Sequence, residues 1–296
     1  MGVFNLTQNL LKLGIPTGSL KSATIDLFRK AGFNISGSNR NFLPTIDDEQ
    51  IQLTMLRAQE MSRYVADGVL DAGITGYDWI MENASDVVEV CQLSYSKATS
   101  KPARWVLAVP DESKVKKPQD LKGGIVATEL VNVTKKFFAD KNIDVKVEFS
   151  WGSTEVKARL VDAIVELTET GTSLQANNLR VIDTVITSTT RLIANKQAWQ
   201  DKFKKEKIEN IAILLNAAID ARSKVGLKMN VEKANLDKIL KVLPAEKSPT
   251  ISSLADPNYI AVEVIIEDKI ERTLVPALKR AGASGIITYP LNKVIH

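Results

Sequence analysis

The first two thirds of the chain alternate short apolar runs with segments whose apolar residues recur every three or four positions. Residues 10–15 form an apolar run that predicts a strand, and the alternation of apolar and polar side chains over residues 51–55 is typical of a half-buried strand. Between them, Ser19 is a suitable N-cap and Gly32 a stop for a helix from residue 19 to about residue 31. Strands joined by helices of this length indicate βαβ units and mostly parallel sheets.

The same alternation continues as far as residue 221. Further strands are predicted at residues 71–74, 87–93, 105–109, 124–127, 145–149, 163–167 and 181–186. Helices are predicted at residues 59–66, after Gly76, and at residues 129–139, 154–160 and 191–221, the last being a long helical stretch. A single sheet would need unusually many strands, so we expect two lobes with a cleft between them. We assign residues 1–95 and 188–221 to lobe I and residues 96–187 to lobe II.

The order of elements changes after residue 221. Strands are predicted at residues 225–231, 250–254, 259–266 and 285–289, and helices at residues 233–243 and 269–281. This β-α-β-β-α-β order is that of a ferredoxin-like module. Residues 222–296 therefore form a predicted third domain.

Composition and charge narrow the possible partners. The chain has 296 residues, of which 44% are hydrophobic and 25% charged, as in an ordinary globular protein. Its net charge of +4 is small and spread along the chain, so we expect no nucleic-acid partner, although a small polyanionic substrate would suit it. No apolar run approaches the roughly 18 residues of a membrane span, and the first residues lack the features of a signal peptide. We expect a cytoplasmic protein with no membrane partner.

The cysteine and histidine counts restrict the chemistry. Cys91 is the only cysteine, so the chain forms no internal disulfide, and His296, the last residue, is the only histidine. A Ser-His-Asp triad, an imidazole base and a histidine-ligated zinc site are therefore unfavoured. Catalysis would have to use carboxylates, lysine, arginine, hydroxyls, backbone amides or a hard cation.

The most informative stretch is residues 162–174. A buried strand runs into a loop of hydroxyl residues around Gly171, and a helix is expected to follow. Amides at such a helix start can hold a phosphate, with threonine and serine hydroxyls as further donors. Asp162 and Glu166 could accept hydrogen bonds from sugar hydroxyls or help to hold Mg²⁺. An acidic strand edge followed by a polar turn is the alternative interpretation.

Other glycine-containing loops are less specific. Residues 14–20 form a strand-turn-helix loop without a Walker or dinucleotide-binding pattern. Residues 67–78 contain three glycines, which would allow either close approach to a flat base or simply tight turns. Arg57 follows a strand and could point into a cleft, although most such arginines are solvated.

Together, in this order, these segments resemble the long form of the ATP phosphoribosyltransferase family, from about Leu10 to Ile295. The stretches that carry the resemblance are residues 57–61, 67–78, 127–129, 152–155, 162–174, 246–251, 256–257 and 282–283. Of these, residues 162–174 match the family's phosphoribosyl pyrophosphate (PRPP) loop and are quite specific. The resemblance implies a two-lobed catalytic unit like the periplasmic binding proteins, followed by a ferredoxin-like domain that binds histidine.

The resemblance also implies an activity. The family joins N1 of ATP to C1 of PRPP and releases pyrophosphate, with Mg²⁺ as cofactor, in the first step of histidine biosynthesis. ATP, PRPP and the inhibitor histidine are the implied small-molecule partners, and the implied assembly is a homo-oligomer, either a dimer or a hexamer.

The implied site residues fall into four groups. The catalytic residues are Asp162, Glu166, Arg57 and Glu155. The PRPP-binding residues are Asp162, Ala163, Glu166, Thr168, Glu169, Thr170, Gly171, Thr172 and Ser173. The ATP-binding residues are Gly18, Asp71, Gly73, Thr75 and Gly76, and the histidine-binding residues are Asn230, Ser248, Thr250 and Gly285. No metal ligands are assigned. Many members have Gly-Arg where this chain has Gly18-Ser19, which we interpret as a subgroup variant.

Two other functions fit parts of the sequence. A cytoplasmic small-molecule sensor could use the same two-lobed fold. A catalytic chain that needs a separate activating subunit is the other, and the extra module after about Val225 argues against it.

Overall fold

Two mixed sheets and a separate antiparallel sheet organise the chain. The structure, a computed structural model, describes residues 9–37, 43–95, 102–244 and 249–295. The chain divides into two units, residues 1–212 and 213–296. Within the described ranges, no helix combines the length and apolarity required to cross a membrane.

The elements of the first unit follow one another as short strands and helices. The strands are β1 (Leu11–Pro16), β2 (Ile35–Ser36), β3 (Thr45–Ile46), β4 (Ile51–Leu56), β5 (Ala72–Gly76), β6 (Val88–Leu93), β7 (Ala103–Pro110), β8 (Ile125–Thr128), β9 (Lys146–Phe149), β10 (Ala163–Thr168), β11 (Leu179–Ser188) and β12 (Thr190–Ala194). The helices are α1 (Lys21–Ala31), α2 (Ala58–Ala66), α3 (Tyr77–Glu82), α4 (Val131–Ala139), α5 (Thr154–Lys157), α6 (Thr172–Ala176) and α7 (Lys202–Asp220), which contains the boundary between the units.

The two sheets define the two lobes. Lobe I is built on the sheet of order β4-β1-β5-β12-β6, and lobe II on the sheet of order β11-β7-β10-β8-β9. The chain crosses from lobe I to lobe II between β6 and β7, and returns between β11 and β12. The residue limits that we assigned to the lobes and to the third domain stay a prediction.

The expectation of mostly parallel sheets is wrong. Each sheet has two parallel and two antiparallel pairings. The strands that run against their neighbours are β7 and β12, the first strand after each crossing between lobes. A chain that enters a sheet from the other lobe arrives from the edge where the βαβ strands end, so its first strand runs in the opposite direction.

The predicted helix over residues 191–221 is also wrong in its first part. Residues 190–194 form β12, which lies between β5 and β6, and the helix begins only at Lys202. Leu192 and Ile193 are both fully buried because β12 is covered on both faces. A short, continuously apolar run of this kind has no periodicity that separates a strand from a helix, so tertiary pairing decided its structure.

The second unit confirms the expected ferredoxin-like order. Its elements are β13 (Lys224–Glu232), α8 (Leu236–Val242), β14 (Thr250–Ser253), β15 (Tyr259–Glu267), α9 (Asp268–Arg280) and β16 (Ala283–Pro290). The strands form one antiparallel sheet of order β14-β15-β13-β16. Alternate residues of β13, namely Leu227, Met229 and Val231, are buried against Ile239 of α8 and Leu278 of α9. Their period of two is the one that the sequence pattern indicated.

Candidate active site

A cavity of about 930 Å³ lies between lobes I and II. Gly18 and Arg57, on the side of lobe I, directly follow the carboxyl ends of β1 and β4. Glu129, on the side of lobe II, directly follows β8, and Glu166 lies near the end of β10. The carboxyl ends of parallel strands meet at one edge of a sheet, and in open α/β sheets ligands bind at that edge.

The hydroxyl-rich loop at residues 168–173 joins β10 to α6. Gly171 adopts a left-handed conformation, with φ of +81°, and a Cβ atom at this position would meet nothing within 4 Å. The Gly171 amide donates to Thr168 Oγ1 at 2.7 Å, and the hydroxyls of Thr170 and Thr172 are 2.8 Å apart. The loop therefore turns tightly while Gly171 has open space beside it. Ser173 Oγ donates to Glu155 Oε1 at 2.5 Å, which links the loop to α5.

Three carboxylates concentrate negative charge next to this loop. The pKa of Glu166 is raised to about 7, mainly by burial and to a smaller extent by the charges of Glu155 and Glu129, while hydrogen bonds from the Leu167 amide and the Thr154 side chain oppose the shift. Burial also raises the pKa of Glu129, while the Gln59 side chain and the charge of Arg57 counteract that effect. Arg57 and Gln59 belong to lobe I, so Glu129 of lobe II faces them across the cavity. On the side of lobe II the cavity is lined by the carboxylates of Glu129, Glu166 and Glu169, and lobe I contributes the Arg57 guanidinium. Of the loop at residues 168–173, only Glu169 lines the cavity.

Five of the predicted catalytic, PRPP-binding and ATP-binding residues line the cavity, namely Gly18, Arg57, Gly76, Glu166 and Glu169. Asp162 lies elsewhere: it precedes β10, so about four strand residues, or roughly 13 Å, separate it from Glu166. Its carboxylate accepts a hydrogen bond of 2.8 Å from the Ile125 amide, which ties β10 to β8. Ala163, the next residue, is fully buried in the core of lobe II.

Three predicted ATP-binding residues make contacts inside lobe I. Asp71 accepts a hydrogen bond from the Lys12 amide at 2.8 Å and pairs with Lys204 Nζ at 2.7 Å. Thr75 donates to the carbonyl of Ala58 at 2.7 Å. A Cβ atom at Gly73 would lie 2.7 Å from Met61 Sδ, so this glycine lets α2 pack closely on β5. Gly73 therefore lies inside a strand, not in a tight turn, and its missing side chain accommodates a helix.

The predicted histidine-binding residues lie in the second unit, where two of the four are neighbours. Gly285 has φ of +53° beside a bulge between β13 and β16, and a Cβ atom there would lie 3.3 Å from Asn230 Nδ2. Thr250 lies on the outer strand β14, where it pairs with Glu263 of β15. Strand β15 separates β14 from β13, the strand that contains Asn230. Ser248 lies outside the described residues.

A buried carboxyl group at the junction of the lobes has no local signal in the sequence that indicates its role. Asp78 of α3 lines the cavity and is only 4% exposed. Its carboxylate accepts hydrogen bonds from Trp105 Nε1 at 2.6 Å and from Ser188 Oγ at 2.8 Å. Burial raises the pKa of Asp78, and the hydrogen bond from Trp105 opposes that shift. The partners are 27 and 110 residues away along the chain, a distance at which no local pattern signals a contact.

This fold and site define a two-lobed α/β protein of the periplasmic-binding-protein type, with strand ends from both lobes around one cleft. The family model of ATP phosphoribosyltransferase matches residues 57–217, and that of the HisG C-terminal domain matches residues 221–293. The chain belongs to the ATP phosphoribosyltransferase family, whose members are pentosyltransferases of histidine biosynthesis. The resemblance predicted from the sequence is confirmed.

Individual relatives agree with this assignment. An ATP phosphoribosyltransferase of Chlorobaculum parvum is 54% identical over 98% of this chain and 99% of its own length. One of Chlorobium chlorochromatii is 56% identical over 97% of this chain and 98% of its own length. Among solved structures, the ATP phosphoribosyl transferase (HisG:HisZ) complex from Thermotoga maritima contains a chain with a TM-score of 0.61 and 26% identity. The match covers 71% of this chain and 99% of that one.

We predict that Glu166→Gln stabilises the protein in a pH-dependent way. The pKa of about 7 in the folded state lies above the ordinary glutamate pKa of 4.5, so between these values the folded state binds more protons than the unfolded state. The free energy of unfolding of the wild type therefore falls as the pH rises through this range. Glutamine removes this cost, so the variant should be more stable by up to about 3 kcal/mol at pH 8 and by less than about 1 kcal/mol at pH 5.

Urea unfolding followed by tryptophan fluorescence measures this difference, because all four tryptophans lie in residues 1–212. Glu148→Gln serves as the control for loss of a charge, since its carboxylate forms an ion pair with Lys146 on the edge strand β9. Equal stabilisation by Glu166→Gln at both pH values would contradict the burial of an ionisable carboxyl group.

Proposed function

We propose that the cavity binds PRPP against the loop at residues 168–173 and ATP against the strand ends of lobe I. The observation that carries this assignment is the hydroxyl-rich loop around Gly171, which follows β10 next to the half-buried Glu166 and whose Glu169 lines the cavity. The 5′-phosphate of PRPP would accept hydrogen bonds from the hydroxyls of Thr170 and Thr172 and from amides at the start of α6. The ribose hydroxyls would donate to Glu166.

The residues of lobe I support ATP as the second substrate. The Gly18 and Gly76 backbones line the cavity, and the Arg57 guanidinium lies on the same side. A guanidinium remains protonated at any physiological pH and suits phosphate oxygens. In this proposal Arg57 neutralises phosphate charge next to the reacting carbon.

The reaction forms one bond and breaks one bond. The lone pair of adenine N1 attacks C1 of the ribose, and the bond from C1 to the pyrophosphate oxygen breaks with both electrons leaving on pyrophosphate. Such a displacement has an oxocarbenium-like transition state and needs little proton transfer, which agrees with a chain whose only histidine is its last residue. Catalysis then depends on the orientation of the two substrates and on stabilisation of the departing charge.

The carboxylates in the cavity are compatible with Mg²⁺ as the cofactor. In the described ranges, no group of three or more acidic, cysteine or histidine side chains could hold a metal ion by itself. Mg²⁺ commonly binds through one or two carboxylates together with substrate phosphates, and Glu129 and Glu166 are two such carboxylates in the cavity. When bound there, Mg²⁺ would neutralise negative charge on the pyrophosphate group.

The ferredoxin-like second unit supports a regulatory function. We infer that it binds histidine near Asn230 and Gly285, which lie next to each other beside the bulge between β13 and β16. Inhibition requires histidine to favour one global state over another, and we expect that state to be a homo-hexamer assembled from dimers. Both substrates are phosphorylated metabolites, so we infer that the protein acts in the cytoplasm.

We predict that the purified chain forms phosphoribosyl-ATP without any other protein. The reason is that it carries its own C-terminal module after the catalytic unit. The measurement is the absorbance of the adduct after ATP, PRPP and Mg²⁺ are mixed with the protein. Product that appears only after a second protein is added would favour a catalytic chain with an activating subunit, and the absence of product under both conditions would favour a sensor.

We predict that Gly171→Asp abolishes PRPP binding, because the new carboxylate would repel the phosphate. Gly123→Asp is the matched control: Gly123 also has positive φ, of +78°, and no atom within 4 Å of a Cβ position, but it lies before β8. Both substitutions impose similar backbone strain, so only the first should affect binding measured by calorimetry. Unchanged PRPP affinity in folded Gly171→Asp would reject the loop as the phosphate site.

We predict that histidine inhibits the intact enzyme and that Thr250→Ala weakens this inhibition. Truncation near Arg222 should yield a protein that histidine does not inhibit, provided that it stays soluble and active. Activity is measured against added histidine for the three proteins, and size-exclusion chromatography reports the assembly. Full activity of the intact enzyme at millimolar histidine would reject the regulatory proposal and leave the catalytic one in place.

A further inference from the structure

Helix α3 belongs to lobe I, yet the acidic residue near each of its ends bonds to elements of lobe II. We propose that α3 acts as an interlobe clamp, formed by Asp78 with Trp105 and Ser188 at one end and by Glu82 with residues 132–133 at the other. The clamp holds the cleft at the width that catalysis needs, which makes Asp78 and Glu82 positioning residues. The kinetic consequences rest on the proposed function, whereas the structural consequences do not.

At the first end, Asp78 joins α3 to β7 and to the end of β11. The indole N–H of Trp105 donates to Oδ2 at 2.6 Å, and the Ser188 hydroxyl donates to Oδ1 at 2.8 Å. The Asp78 amide also donates to Ser188 Oγ at 3.1 Å. A buried carboxylate that loses these donors stays desolvated without any compensating hydrogen bond. Breaking the contacts of Asp78 therefore costs more free energy than breaking a surface ion pair, so these contacts are more persistent.

The backbone around Asp78 is shaped for this contact. A Cβ atom at Gly76 would lie 2.0 Å from Asp78 Oδ1 and 3.3 Å from Ser188 Oγ, so a larger residue would displace the carboxylate. The Tyr77 amide donates to the carbonyl of Thr189 at 3.0 Å, where the chain passes from β11 to β12. The rings of Trp79 and Trp105 meet edge to face at 6.0 Å. Contacts from several elements therefore converge on this end of α3.

At the second end, Glu82 caps a helix of the other lobe. The amides of Asn132 and Val133 donate to its two carboxylate oxygens at 2.9 and 3.0 Å, and Asn132 Nδ2 donates to its backbone carbonyl at 2.9 Å. Helix α4 has no side-chain cap of its own, and its first amides would otherwise lack partners. A carboxylate at a helix N-terminus also interacts favourably with the helix dipole.

Two attachments at opposite ends of one short helix restrict rotation as well as separation of the lobes. The lobes could rotate about a hinge at the crossing Ser188–Thr190. Asp78 lies beside this axis, so its contacts could persist during the rotation. Glu82 lies at the other end of α3, so the rotation would pull it away from α4. Loss of either contact should therefore populate arrangements in which the two walls of the cleft are too far apart. The apparent affinity for each substrate would then fall in proportion to the fraction of protein whose cleft has the width needed for binding.

The first experiment measures the arrangement of the lobes without any substrate. Spin labels are attached at Lys30→Cys on α1 and Lys146→Cys on β9, two exposed positions in different lobes, in a Cys91→Ala background. We expect one narrow distance distribution by pulsed electron resonance, and a broad one after Asp78→Ala or Glu82→Gln. A distribution that is already broad in the parent protein, or that neither substitution changes, would overturn the clamp whatever the enzyme's activity.

The second experiment measures kinetics with a conservative rescue and a matched control. Glu82→Gln and Asp78→Ala should raise KM for PRPP and for ATP by a common factor of about fivefold or more, with kcat changed less than about twofold. Asp78→Asn should restore most of the affinity, because its amide oxygen can accept from Trp105 while its NH₂ donates to Ser188. Asp86→Asn, which removes an exposed partner of Lys196 in lobe I, should leave both constants unchanged.

The outcomes separate the two proposals. Loss of kcat with unchanged KM, or an effect on one substrate only, would overturn the positioning role and indicate direct contact with that substrate. A parent protein that shows no transferase activity would refute the proposed function, and the distance measurement would still decide on the clamp. If Asp78→Ala fails to fold, Glu82→Gln and Ser188→Ala test the two ends with milder changes.

Discussion

The double crossing of the chain between two sheets is the constraint on which the site depends. Because the chain leaves lobe I after β6 and returns at β12, each lobe receives one strand that runs against its βαβ neighbours. Strands β1, β4 and β5 of lobe I and β8 and β10 of lobe II then end at one cavity, so Arg57 of lobe I and Glu129 of lobe II can interact across it. Carboxylates of one lobe and an arginine of the other, far apart in sequence, become two walls of one cleft.

Burial of carboxyl groups around this cleft comes at a cost in stability. Glu166 and Asp78 both have a pKa raised by burial, and each receives hydrogen bonds in place of a cation. Such groups favour the protonated form or an added positive charge nearby. The donors to these two carboxyl groups are an indole, a hydroxyl and a backbone amide rather than lysines.

Three glycines around the site are required for three different physical reasons. Gly171 needs positive φ, Gly73 allows close packing against Met61, and Gly76 leaves room for the Asp78 carboxylate. In the sequence these residues look alike. Their differences come from neighbours brought near by folding.

The sequence alone determined the order of most strands and helices, the ferredoxin-like module and the loop around Gly171, because each depends on a local pattern or on a short motif. The family could also be identified from the sequence, because the matching stretches extend over nearly the whole chain. Only the tertiary structure decided that residues 190–194 form a strand, that the Asp162 carboxylate bonds to the Ile125 amide, and that Asp78 meets Trp105 and Ser188. These outcomes depend on pairing and burial between segments that are distant in sequence, and local periodicity and propensity contain no information about such contacts.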